Sequence, residues 1–172
     1  VSLDVDVDVL VVGSGIAGLT TALEVLRLAP GAHVAVATKA ALGDGATAWA
    51  QGGIAAVLPG SGDEVALHVA DTLAAGDGLC APEAVAVLCG AGGAAVAALQ
   101  ARGLRLDTAP AGRLSRGLEA AHSRPRIVHA GGDTTGAHVT RALGAAVRAS
   151  RAALLERTAL VELLTTAGPG TA

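Results

Sequence analysis

Three stretches of the chain carry residue types at spacings that could do chemistry. The first, Gly13-Ser14-Gly15-Ile16-Ala17-Gly18, fits G-x-G-x-x-G. Gly13 permits a tight turn, Gly15 lets the backbone approach a pyrophosphate, and Gly18 lets a helix pack closely on the preceding strand. A helix opening here would aim its N-terminal amides at phosphate charge. The spacing alone would also suit a purely structural turn. Its position between a strand-like run and a helical one favours a bound dinucleotide.

The second stretch, GDGATAWAQGGIAAV (43–57), holds the only aromatic residue of the chain, Trp49, among four glycines and a single charge. Thr47 and Gln51 offer hydrogen bonds there, and Gly52 and Gly53 permit close backbone approach. Trp49 can flank a flat ligand or pack on neighbouring aliphatics. Between the two stretches the sequence reads Thr38-Lys39, where the NAD fingerprint places an acidic residue for the ribose. Thr38 can bond a ribose and Lys39 can reach a phosphate, so a plain NAD dehydrogenase is disfavoured. The third stretch is Leu118-Glu119-Ala120-Ala121-His122-Ser123, followed by Arg126-Ile127-Val128-His129-Ala130. On spacing alone Glu119 is a loop carboxylate in water, and His122 and His129 are structural residues flanking a strand.

Those residues need elements to position them. DVLVVG (8–13) reads as an apolar strand, IAGLTTALEVLRLA as a helix stopped by Pro30 and Gly31, and HVAVAT (33–38) as a second strand. Such a β-α-β unit implies parallel strands joined by a right-handed crossover. GDEVALHVADTLAAG (62–76) is predicted helical, with Asp63 and Glu64 at its positive end. A further helix opens at Pro82 and closes at Gly103. Residues 104–121 read as hairpin and loop, 126–130 as a strand, and Asp133 or Thr134 as the cap of a helix running to about Ser150. ALLERTALVELLTTAG (153–168) is strand-like, as one strand or two meeting at a bend, and GPGTA reads as a turn. The fold class is therefore α/β, with a Rossmann-like parallel sheet and residues 1–172 forming one unit.

Composition narrows the function. The net charge is −3 and the basic residues are scattered, against a nucleic-acid surface. The run 84–101 is uncharged but mostly Ala and Gly, which predicts a buried helix rather than a membrane span. The first residues, VSLDVDVDVL, are acidic and do not read as a signal peptide. Asp4, Asp6 and Asp8 read as the solvent face of a strand start. Cys80 and Cys89 lack a CxxC or Cys/His companion, so they read as reduced thiols of a cytoplasmic protein, with no metal site.

Five segments in this order, VLVVGSGIAGL, ATKAALGDGATAWAQGGIAAV, HVADTLAAGDGLC, LEAAHSRPRIVHAGGDTTG and LLERTALVEL, resemble the start of the L-aspartate oxidase family. These enzymes belong with the fumarate reductase and succinate dehydrogenase flavoproteins. The resemblance runs from Asp8 onward and implies an FAD-binding domain. In this family hydride passes from the aspartate Cα to the flavin, giving iminoaspartate for quinolinate and NAD synthesis. Oxygen or fumarate is the implied electron acceptor, and quinolinate synthase an implied partner. It further implies that Ser14 to Ala17 contact the FAD phosphates, that Lys39 contacts the cofactor, and that Ala46, Thr47, Ala48, Trp49, Ala50, Gln51, Gly52 and Gly53 wrap the flavin. Glu119 falls on a glutamate that orients the substrate through its α-ammonium. Where covalent-flavin members carry histidine, this chain has Ala46, so non-covalent FAD is implied. Where relatives read Arg-Glu-Gly-Gly-His-Ser, the Arg and both glycines are replaced here. The resemblance also implies a missing capping domain and C-terminal half of the FAD site, including the catalytic arginine, and hence a segment inactive alone. The alternatives are a soluble fumarate reductase or succinate dehydrogenase-type flavoprotein, and a non-catalytic nucleotide-binding remnant.

Overall fold

The computed structural model describes residues 4–110 and 112–165. Strand β1 (Val9–Val12) runs into helix α1 (Ile16–Leu28), which returns to β2 (Val34–Thr38). β1 and β2 pair in parallel, Val9 opposite Val34 and Val12 opposite Ala37. The far strand, β5 (Ala153–Glu156), pairs in parallel with β2, so the order is β1-β2-β5. β2 is central and buried along its whole length, as a Val/Ala run flanked on both edges should be. β1 lies at an edge: Val11 is buried, whereas Leu10 and Val12 on its other face are exposed.

The 126–130 expectation contracts to β4 (Ile127–Val128), which pairs antiparallel with β3 (Ile54–Ala55) in a separate two-stranded sheet. Helices α2 (Val65–Ala75) and α3 (Pro82–Ala101) pack on each other, and α4 (Thr135–Arg148) lies against α1. Leu19, Val36, Val96, Val128, Val139, Leu143 and Val147 form the centre of a continuous aliphatic core. α3 is long and apolar enough, by length and composition, to cross a membrane. Here one face is packed, with Val85, Cys89, Val96 and Leu99 buried.

Several local expectations are corrected. The strand-like run 153–168 forms a strand only to Glu156. Arg157 then takes a positive φ of 54°, which turns the chain out of the sheet. Leu160, Val161, Leu163 and Leu164 follow without regular structure and exposed, while 166–168 and the GPGTA turn lie outside the described residues. Asp63 and Glu64 precede α2 rather than filling its first turn; Glu64 is its N-cap residue and makes no side-chain cap bond. Neither Asp133 nor Thr134 caps α4 through its side chain, because a 3-10 turn (Gly132–Thr134) intervenes. The Thr134 hydroxyl donates back to the Gly131 carbonyl instead. Cys80 and Cys89 are free thiols.

Candidate cofactor and substrate site

The turn between β1 and α1 has the form that its glycines require. Gly13 adopts φ +107°, a conformation open to glycine and costly for other residues. A Cβ on Gly18 would overlap the Gly13 carbonyl oxygen, so the helix can start this close to the strand only with glycine there. Gly15 is the extended N-cap of α1, no side chain caps it, and no acidic residue occupies the first turn. Such a helix end presents amides and a partial positive charge with no protein anion to meet them.

The Ala46–Trp49 segment forms a 3-10 turn directly over that end. The Ile16 amide donates to the Thr47 hydroxyl at 3.1 Å, and a Cβ on Gly15 would sit 3.3 Å from the same oxygen. α4 holds the turn in place from the other side: the Gly136 amide donates to the Ala50 carbonyl at 3.0 Å. A side chain at Gly136 would overlap the Thr47 carbonyl oxygen. The GDTTG segment thus supports the loop through a glycine that sequence reasoning did not single out.

Lys39 and Gln51, which lie on either side of Thr47 in sequence, line different cavities. Lys39 lines a cavity of about 630 Å³ with Gly43 to Ala46, Ala48 and Trp49. Gln51 and Gly52 line a second cavity of about 490 Å³ with Asp107, Ser115, Glu119, His129, Gly132 and Asp133. The docking of the 3-10 turn onto α4 separates them, so the loop passes from one cavity to the other. Trp49 is 83% exposed on the Lys39 side. Two other expectations change. Protein, not open space, fills the room left by Gly53, whose Cβ would meet the Val128 carbonyl at 2.6 Å and His129 at 2.9 Å. Thr38 is buried, its hydroxyl 2.9 Å from that of Ser14, so it ties strand to turn rather than facing a ribose freely. A larger cavity, about 840 Å³, lies elsewhere, between the 57–63 loop and α3, and none of the expected cofactor residues lines it.

Glu119 stands on a loop that a buried ion network holds. The Arg126 side chain is fully buried and donates to both Asp63 carboxylate oxygens at 2.8 and 2.9 Å. It also pairs with Asp71 and lies 3.0 Å from His122 Nδ1. Asp71 accepts the Ser123 amide and hydroxyl, both at 2.8 Å. The Ser123 amide, then Arg126, hold the Asp71 carboxyl well below the usual carboxylate range, and Arg126 lowers Asp63. Desolvation lowers the pKa of His68, which packs edge-on to His122 at 5.3 Å. Ala120, next to Glu119, takes φ +51°, a strained conformation for alanine.

On the other side of Glu119, its Oε1 lies 3.0 Å from His129 Nε2. Asp107 accepts the Gly131 and Gly132 amides at 2.8 and 2.9 Å, which keeps its carboxyl ionised below the usual range, the Gly132 bond first. The cavity therefore combines three acidic side chains with one imidazole, a setting suited to an ammonium group. Spacing does not reveal Asp107, and on spacing alone His129 reads as structural. The only available signal was period two, which puts His129 on the same face of the strand as Ile127. Among the described residues no His/Cys/Asp/Glu group could hold a metal ion.

The uncapped α1 terminus, the close glycines and the nearby lysine define a site of the dinucleotide-binding class. The sequence matches the FAD binding domain over residues 8–171, and the chain belongs to that family. FAD is its cofactor. The cradle fits the group, since Gly15 has no side chain and the helix end has no protein anion. Ala46 offers no nucleophile for a covalent flavin link at that position.

Among curated relatives, the chain is 49% identical to the L-aspartate oxidase of Streptomyces coelicolor over 165 residues, 96% of this chain and 28% of that one. It is 54% identical to the Mycobacterium tuberculosis L-aspartate oxidase over 137 residues, 79% of this chain and 26% of that one. Among solved structures it superposes on Mycobacterium smegmatis Sdh1 in complex with UQ1 with a TM-score of 0.81 at 27% identity, covering 88% of this chain and 27% of that one. The E. coli quinol fumarate reductase FrdA gives 0.82 at 26%, covering 88% and 26%. The chain thus spans less than a third of the length of these relatives.

Proposed function

We propose that this chain is the FAD-cradling segment of an L-aspartate oxidase of the cytoplasm, forming iminoaspartate for quinolinate and NAD synthesis. One observation carries the reading: a single loop, Ala46 to Gly53, touches the α1 N-terminus through Thr47 and lines the acidic cavity through Gln51 and Gly52. A cofactor laid along that loop has its phosphates at the helix end and its far end beside Glu119. When bound, FAD supplies the hydride acceptor, and the protein supplies binding, orientation and electrostatics. The Ser14 to Ala17 turn contacts the phosphates, with the Ile16 amide given to the Thr47 hydroxyl, Lys39 adds a positive charge, and Trp49 covers the open side of its cavity. Glu119, with Asp107 and Asp133 nearby, attracts the α-ammonium and orients the Cα. Oxygen or fumarate serves as acceptor, and quinolinate synthase receives the unstable product.

A fumarate- or succinate-handling flavoprotein is the second reading, favoured by the structural likeness to Sdh1 and FrdA. The higher identity to the two L-aspartate oxidases and the acidic cavity favour the first. The test is peroxide release by the full-length, FAD-loaded protein with L-aspartate and with succinate. Release with L-aspartate alone supports the reading; turnover of succinate in its place sinks it. The 172-residue chain with added FAD should bind flavin weakly and release no peroxide above background. Robust turnover by it would show that a cap and further cationic groups are dispensable.

A further inference from the structure

We propose that His129 is a positioning residue for the amine of the substrate, acting through Glu119; the proposal rests on the L-aspartate reading above. Glu119 lies on a loop and its side chain is half exposed, so by itself it would sample many rotamers. His129 Nε2 stands 3.0 Å from one of its oxygens, an ion-pair contact when the imidazole is protonated. Both residues line the cavity that contains Gln51 and Gly52.

Gly117 makes the seat for this pair. Its amide donates to the Ile127 carbonyl at 2.8 Å and its carbonyl accepts the Ile127 amide at 3.2 Å, which clamps it beside β4. A Cβ at 117 would lie 2.9 Å from Glu119 Oε1 and 3.5 Å from His129 Cε1. The backbone at Gly117 has no positive φ, so space rather than conformation calls for glycine. The imidazole is braced from its own backbone as well: the Asp107 amide donates to the His129 carbonyl at 2.8 Å, and the Asp107 carboxylate holds the Gly131 and Gly132 amides. With one Glu119 oxygen held, the carboxylate keeps a single orientation for a cation entering the cavity.

The test compares a substrate with an amine and a ligand without one in the full-length, FAD-loaded protein. His129→Ala should raise KM for L-aspartate roughly tenfold, the loss of the close polar contact that orients a charged group. It should leave the inhibition constant of succinate within about twofold, since succinate has no ammonium to orient. His129→Gln, which keeps an N–H donor, should restore most of the KM. In a Glu119→Gln background His129→Ala should add little, because the group it positions is gone. Gly117→Ala reaches the seat without altering His129 and should raise the L-aspartate KM with the same selectivity. Parallel losses for both ligands, or an unchanged KM in soluble, flavin-loaded variants, overturn the proposal alone. Wild-type protein that binds flavin yet ignores L-aspartate overturns the functional reading, and this proposal with it.

Discussion

The proposed phosphate cradle and the Glu119 loop lie toward the two ends of the 46–53 loop and are built in opposite ways. The cradle comes from consecutive residues: a strand, a turn whose glycines permit close approach, and a helix whose own amides form the binding surface. Most of its geometry follows from backbone rules and needs only β2 alongside. The Glu119 loop has no regular structure. Arg126 bridges it to Asp63, 63 positions away in sequence, and to Asp71 on α2, while Glu119 itself meets His129. A binding surface made of backbone tolerates most side-chain changes except added bulk. One made by side-chain pairing fails when a single partner is lost.

The largest expected effect lies at the second end. Arg126→Met removes the buried cation and leaves Asp63, 3% exposed, facing an apolar side chain. Breaking such a buried pair costs about 3–5 kcal/mol, which urea unfolding would read as a large drop in midpoint. A variant as stable as wild type would show that the network is not what holds the loop. Acid probes the same contacts. Asp63, Asp71 and Asp107 are all more acidic folded than unfolded. The unfolded chain therefore binds protons first, below the ordinary value of 3.8, and this stabilisation is lost as pH falls through the folded values. His68, lowered by desolvation, adds a loss of the same sign that begins nearer its ordinary value of 6.5. Thermal midpoints should hold at neutral pH, decline below about 6 and fall steeply below about 4. Arg126→Met should flatten the acid limb.

At the junction of the two ends, Gly136→Ala would push a methyl group into the Thr47 and Ala50 carbonyls. The expected cost is about 1–3 kcal/mol from overpacking, with weaker FAD binding as the loop lifts off α4. Flavin absorbance after gel filtration, beside a melting curve, separates the two effects. Ala120→Gly should move the other way and stabilise by about 1 kcal/mol, by relieving the left-handed alanine beside Glu119. A loss of stability there would mean that the strain is not present in solution. The smallest change in stability is expected at Gly15→Ala, where a Cβ would sit tightly, 3.3 Å from Thr47 Oγ1, and the hydroxyl need shift only slightly. Stability should stay within about 1 kcal/mol, while FAD retention is lost because the methyl group stands where the phosphate must approach. Retained FAD would remove the cradle from the site.

The cradle was legible because its signals are local and redundant: Gly13, Gly15 and Gly18 lie at fixed offsets between two periodic runs, and β1, α1 and β2 appear within a residue or two of the expected bounds. Failures gathered where contacts from a distance override local preference. Asp63 suits a helix start by charge, but Arg126 claims it. Thr38 has a side chain fit for a ribose, but Ser14 takes it as the strand docks. Gly53 could admit a ligand, yet β4 arrives first.

By itself the sequence determined the α/β class, the parallel β1–β2 pair and the strand-turn-helix form of Gly13 to Gly18. Each follows from residue type and short-range spacing, which act before any distant segment is in place. Only the tertiary structure decided that the 46–53 loop leans on Gly136, that two cavities rather than one flank it, and that Glu119 meets His129 above Gly117. Those outcomes depend on which segments approach within a few ångströms across separations of many residues. Side-chain hydrogen bonds and excluded volume operate at that range, and local pattern does not encode it.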